Sequence, residues 1–150
     1  MTKVRSQGRN YFRRPSLAAV KALLAEAQLP TPDLAAAQLE HFIGCGTDDA
    51  LDGVVGVELY PPVALLRSLC VTASKRDHDV GSALLVEAEH YGRSRGVSEI
   101  YLLTTTAEQF FARKGYERVA RETAPATIRA TQEFSALCPA SAAFMRKRLV

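Results

Sequence analysis

Between Val63 and Tyr91 the chain reads VALLRSLCVTASKRDHDVGSALLVEAEHY, and the residues able to do chemistry gather in its polar middle. Lys75, Arg76 and His78 lie within Thr72 to Asp79, after an apolar stretch of strand length and before a stretch of helical periodicity. A strand feeding a helix through such a turn leaves the first N–H groups of the helix unpaired, and the helix dipole makes that end positive. Phosphates bind well at such ends. The spacing therefore predicts a phosphate-bearing ligand at this turn.

Other charged residues interrupt apolar stretches. Arg67, with Ser68, breaks the run Val63 to Val71. A charge there demands a partner or a ligand. Glu58 or Glu40 would serve as the partner. Glu58 falls near the end of the apolar stretch Val54 to Tyr60. Partial burial would raise its pKa into the range of a general base, whereas exposure just before Pro61 leaves it an ordinary edge residue. His41 is the second candidate base, against the plainer reading of a packed or solvated histidine. The three cysteines, Cys45, Cys70 and Cys138, form no C-x-x-C pair. No metal site is expected, and a reduced, cytoplasmic setting is.

The elements that must position these groups follow from periodicity. Val63 to Val71 reads as a strand, and Val80, Leu84 and Ala88 recur at four-residue spacing on a helix running to about Arg95, with Gly96 as its cap. Pro15-Ser16 opens an earlier helix with Leu17, Val20, Leu23, Leu24 and Ala27 on one face, and Thr31 or Asp33 starts a short second helix to about Leu39, with Leu34 and Leu39 inward. A first strand lies somewhere in Val4 to Arg13. Strands are expected at His41 to Cys45 and Val54 to Tyr60, joined by an acidic turn from Thr47 to Asp52. Ile100 to Thr104 is a buried strand, Ala107 to Lys114 a short helix ended by Gly115, and Tyr116 starts a sixth strand. A helical piece falls within Pro125 to Leu137, and Ser141 to Leu149 is a last strand.

Val71-x-x-x-x-Arg76-x-x-Asp79-Val80-Gly81-x-Ala83-Leu84-Leu85 resembles the acetyl-CoA motif of the GCN5-related N-acetyltransferases (GNAT), V-x-P-x-x-R-x-x-G-I-G-x-A-L-L. The resemblance implies one α/β domain over residues 1–150. Its fold is a mixed, mostly antiparallel sheet of six to seven strands with about four helices. It also implies acetyl-CoA as the acetyl donor, held by Leu69, Cys70, Val71, Arg76, Asp77, His78, Asp79, Val80, Gly81, Ser82, Thr105, Phe110, Phe111 and Lys114. One position departs: Asp79 stands where the motif has its first glycine, and its carboxylate would face the pyrophosphate. Alternatively Asp79 caps the helix.

Leu102-Leu-Thr-Thr-Thr-Ala-Glu-Gln-Phe-Phe-Ala-Arg-Lys-Gly-Tyr116, with Ile128-Arg-Ala-Thr and Leu137-Cys-Pro-Ala-Ser-Ala142, is similar to the acetyltransferases found with arsenic-resistance genes, the second type of arsenic N-acetyltransferase. A more distant resemblance is to the acetyltransferase domain of N-acetylglutamate synthase. Together these imply direct acetyl transfer to the amine of a small amino-acid-like acceptor. In this reading Glu58 is the base, and Arg67, Arg129 and His41 hold the acceptor. His78 in the turn and His90 on the helix are poor bases for the acetyl end. Many members carry a thiolate-protonating Tyr four residues before the glycine, where this chain has Phe111. A three-sulfur arsenic trap needs cysteines that converge, and Cys70 in an apolar strand argues against it. The alternatives are a catalytically impaired binding or regulatory module on the same fold, or acetylation of protein amines.

With 150 residues, 47% hydrophobic, the chain suffices for one globular core. No apolar run approaches a membrane span, and no membrane partner is expected. Lys3, Arg5, Arg9, Arg13 and Arg14 precede the first acid, Glu26, but few bases interleave with aromatics. No nucleic-acid partner is expected. A homodimer through the last strand fits the resemblance.

Overall fold

The computed structural model describes residues 10–29, 31, 34–75, 79–137 and 140–149. Strand β1 (Tyr11–Arg13) leads to helix α1 (Leu17–Glu26), where the Ser16 hydroxyl accepts the Ala19 N–H at 3.1 Å and caps the N-terminus. Such a cap contributes about 1 kcal/mol. The second helix is shorter than its sequence suggests. It is a 3-10 turn, Ala36–His41, that begins where the Gln38 side chain accepts the Ala35 N–H at 2.7 Å. Of the two expected starts, Thr31 is not helical and Asp33 lies outside the described residues. Leu34 and Leu39 are buried, as expected.

Strands β2 (Phe42–Thr47) and β3 (Ala50–Tyr60) are joined by a two-residue turn, tighter than the acidic loop anticipated to Asp52. The Thr47 hydroxyl accepts the Ala50 N–H across it, and the Asp48 carboxylate accepts the Ser16 N–H at 2.7 Å. Strand β4 (Val63–Val71) has the bounds the sequence implies. It leads to α2 (Val80–Ser94), whose end is closed by two bonds, Gly96 N–H to the Arg93 carbonyl and Val97 N–H to the Gly92 carbonyl. That pattern needs a residue with positive φ, and Gly96 supplies it at 87°. Strand β5 (Glu99–Thr104), helix α3 (Glu108–Arg113), a two-residue β6 (Glu117–Arg118), helix α4 (Ala126–Arg129), a π-helical turn (Glu133–Leu137) and β7 (Ala143–Arg148) follow.

The seven strands among the described residues are ordered β1-β2-β3-β4-β5-β7-β6, and every neighbouring pair is antiparallel except β4–β5. On one face α2 lays Val80, Leu84, Leu85 and Ala88 onto Ile43, Val55, Val57, Leu66 and Leu102. The other face carries two separate clusters. One packs Val20, Leu23 and Leu24 of α1 on Phe42, Val54 and Cys70; the other packs Ala124 and Ile128 on Leu65, Tyr101 and Phe144. Along β4, Leu65 belongs to the second and Cys70 to the first, with Arg67 between them. Gly56 opposite Arg67 has no room for a Cβ, which would run into the Phe42 ring. Among the described residues no helix is long and apolar enough to cross a membrane.

Candidate active site

Strands β4 and β5 pair only at Val63–Leu65 against Glu99–Tyr101, although β4 continues to Val71 and β5 to Thr104. Beyond Leu65 they diverge into a wedge. The cause is local: Gly56 pairs with Arg67 and Val54 with Cys70, so β4 holds one more residue than β3 across this step. Ser68 absorbs the difference at φ 61°. Bulges of this kind recur beside active sites, where they bend a strand and re-aim its side chains.

The wedge opens on a cavity of about 240 Å³ lined by residues 66–69 and 102–107, with Gln28, Leu29, Phe111 and Glu133. The Arg67 side chain is fully buried at its base. Its Nη1 lies 2.9 Å from Glu58 Oε2, its Nη2 3.3 Å from Glu133 Oε2, and its Nε donates to the Ser68 hydroxyl at 3.0 Å. The alternative left open by the sequence, an Arg67–Glu58 ion pair, is thus present, and Glu40 instead pairs with Arg14 at 3.3 Å. Glu58 also accepts the Tyr60 hydroxyl at 2.7 Å, and it is not among the residues lining the cavity. Glu133 is, and nothing in the sequence singles it out.

A second cavity, about 460 Å³, lies at the start of α2 and is lined by Leu69, Cys70, Val71, Asp79, Gly81, Ser82, Phe110, Arg113 and Lys114. Leu69 lines both cavities, so the two are neighbours at the wedge. Val80 points away, buried in the core. Phe111 lines the wedge, stacked edge-on against Phe110 and Tyr116. The Thr104 hydroxyl accepts the Ala107 N–H in the turn before α3, while Thr105 is exposed on the wedge. Arg113, unremarked in the sequence, joins Lys114 in giving this cavity positive charge. Arg76, Asp77 and His78 lie outside the described residues.

Asp79 does not cap the helix through its side chain, which corrects that expectation. It sits at φ 59°, ψ 20° with no side-chain capping bond. The left-handed conformation explains the glycine of the motif. Aspartate is among the few residues that tolerate this region.

Neither His41 nor Arg129 reaches the wedge. His41 Nδ1 is 2.5 Å from the Tyr91 hydroxyl on α2, and the guanidinium groups of Arg13 and Arg95 each lie 4.9 Å from the Tyr91 ring centroid. Burial first, and these arginines after it, lower the His41 pKa from 6.5 against the raising effect of Glu40. The folded protein therefore binds fewer protons than the unfolded chain as pH falls through 6.5, and stability drops there. Urea unfolding at about pH 7.5 and about pH 5.5 should show a larger loss for wild type than for His41→Gln; equal losses would refute the assignment. Arg129 donates to the carbonyls of Ala124 at 3.1 Å and Glu122 at 2.5 Å, which ties down the turn before α4. Cys45 and Cys70 are buried on opposite faces of the sheet and do not converge. Among the described residues no His, Cys, Asp and Glu cluster suits a metal.

Comparison with known proteins matches these features. The model of the acetyltransferase (GNAT) family fits residues 10–120. The fold is similar to N-acetylglutamate synthase from Neisseria gonorrhoeae solved with coenzyme A and N-acetyl-glutamate, at TM-score 0.80 and 18% identity, over 95% of this chain and 35% of that one. The chain thus spans about a third of that enzyme's length. It is also similar to a Mycobacterium tuberculosis protein solved with CoA (TM-score 0.74, 17% identity, 94% of this chain and 99% of that one). An acetyltransferase of the GNAT family from Staphylococcus aureus Mu50 is a third (TM-score 0.73, 16% identity, 95% and 99%). At these identities the likeness is one of fold. No curated protein matches the sequence.

Proposed function

The chain belongs to the acetyltransferase (GNAT) family, and from that premise we propose that it moves an acetyl group from acetyl-CoA to the primary amine of a small acceptor by direct transfer. The observation that carries the reading is the wedge at Leu69, a residue shared by a basic cavity at the start of α2 and a smaller cavity beside Arg67 and Glu133. Coenzyme A bound to similar folds supports the assignment of the donor. In this reading the diphosphate lies at the turn before α2, near Gly81, Ser82 and Lys114. The pantetheine follows β4 where its ladder with β5 has ended. The N–H groups of Leu69 to Val71 face the thioester, where donors aimed at a developing oxyanion stabilise the transition state.

The acceptor cavity is below the roughly 300 Å³ at which drug-sized ligand pockets begin, so the acceptor is small. An amino-acid-like amine fits that size, and a link to arsenic resistance rests on the sequence resemblance alone. Cytoplasmic location and a homodimer belong to the same proposal. Strand β7 lies between β5 and β6, so a second copy that adds a strand does so at β1 or β6.

Titration calorimetry with acetyl-CoA tests the donor assignment. Binding at micromolar Kd, roughly 8 kcal/mol, is the expected result. An absence of heat at millimolar cofactor would remove acetyl transfer and favour the second reading, a non-catalytic module on this fold. Two observations favour that second reading: the carboxylate of Asp79 at the turn, and a phenyl ring, Phe111, where a phenol would protonate the thiolate.

A further inference from the structure

We infer that Glu133 is the acceptor site's amine-binding group and its proton acceptor, so that the site selects acceptors bearing an ammonium and no nearby carboxylate. This rests on the acetyltransferase reading and narrows its acceptor from amino-acid-like amines in general to those without the carboxylate. Two carboxylates share the buried Arg67 guanidinium, and only Glu133 lines the cavity. Its side chain is 7% exposed, and its contact with Arg67 is 3.3 Å, against 2.9 Å for Glu58. The three groups together carry one excess negative charge. A carboxylate offers four lone-pair sites, and Glu133 lines the cavity, where an ammonium can approach it alongside its existing partners. Arg67, by contrast, already donates to two carboxylates and the Ser68 hydroxyl, and an acceptor carboxylate would have to displace one of them.

Glu133 is also held in place. It opens a π-helical turn, a feature frequent at functional sites. The Thr131 hydroxyl donates to the Ile128 carbonyl at 2.8 Å and accepts the Phe134 N–H at 3.2 Å. Phe134 then packs edge-on against Phe144.

The step balances. The acceptor ammonium gives one proton to Glu133, and the amine so formed attacks the thioester carbonyl carbon. The C–N bond forms and the C–S bond breaks. Coenzyme A leaves as thiolate and takes the second nitrogen proton, and Glu133 releases its proton to solvent. A positioned base of this kind contributes about a hundredfold to ten-thousandfold.

Thiol release from acetyl-CoA is measured with L-alanine and L-alaninol, which share a primary amine of similar basicity and differ in the carboxylate. The expected result is a kcat/KM at least about tenfold higher for L-alaninol, since about 1.4 kcal/mol of repulsion suffices. In Glu133→Gln the kcat/KM for L-alaninol falls about a hundredfold. The preference narrows to about threefold or less, while the Kd for acetyl-CoA and the melting temperature hold. A preference for L-alanine, an unchanged kcat/KM in Glu133→Gln, or no turnover of either amine by a protein that binds acetyl-CoA each overturns the inference. Failure to bind acetyl-CoA overturns the acetyltransferase reading instead.

Discussion

Arg67→Met is expected to destabilise the protein by about 3–5 kcal/mol, the usual consequence of removing one partner from a buried ion pair. The substitution leaves Glu58 and Glu133, with side chains 13% and 7% exposed, facing each other without the cation between them. Neither can recover bulk hydration, and like charges held together in such a setting repel. Urea unfolding at neutral pH measures the effect, and a loss below about 1 kcal/mol would show that the guanidinium is not the centre of this cluster. The contrast with Glu133→Gln is instructive. That change leaves one cation opposite one carboxylate, a matched pair, and so should cost far less than removing the arginine.

Asp79→Gly should tighten acetyl-CoA binding by about fivefold or more. A unit charge about 4 Å from another costs roughly 1 kcal/mol in bulk water and about 4 kcal/mol at an effective dielectric near 20. Asp79 is exposed, so the lower figure governs. Two causes are separable here. At φ 59° a glycine relaxes the backbone and lets it approach the diphosphate closely, whereas an asparagine tolerates the same conformation and removes only the charge. If Asp79→Asn gives most of the gain, electrostatics is responsible; if only Asp79→Gly does, backbone approach is. Calorimetry showing no gain in either variant would remove Asp79 from the diphosphate site.

Much of this architecture is legible in the sequence. The ends of β4, the Ser16 cap, the Gly96 closure and the buried stripe on α2 depend on local periodicity and turn chemistry, which a single chain displays. The misread pieces have local reasons as well. Asp52-Gly53 resembles a turn, yet it lies inside β3, where Gly53 runs close beneath the Leu84 and Val80 side chains. The helix expected from Thr31 or Asp33 tightens into a 3-10 turn at Ala36. What sequence does not display is pairing at a distance. Glu133 meets Arg67 only because α4 and the π turn fold back over the β4–β5 wedge, and its neighbours in the chain carry no periodic signal. Arg129, attractive as a lone cation near it, is consumed by the carbonyls of its own turn.

The last strand is not at the edge of the sheet. Strand β7 enters between β5 and β6, and its register runs from Glu99–Arg148 to Thr104–Ala143. A ribosome delivers the chain in order, so β5 emerges with its outer edge bare, and β6 has no partner until β7 arrives. An unpaired strand edge is a template for other chains. The final third of the sequence therefore sets a window during synthesis in which the nascent protein is most prone to join its neighbours, and the window closes only when Ala143–Arg148 threads into place.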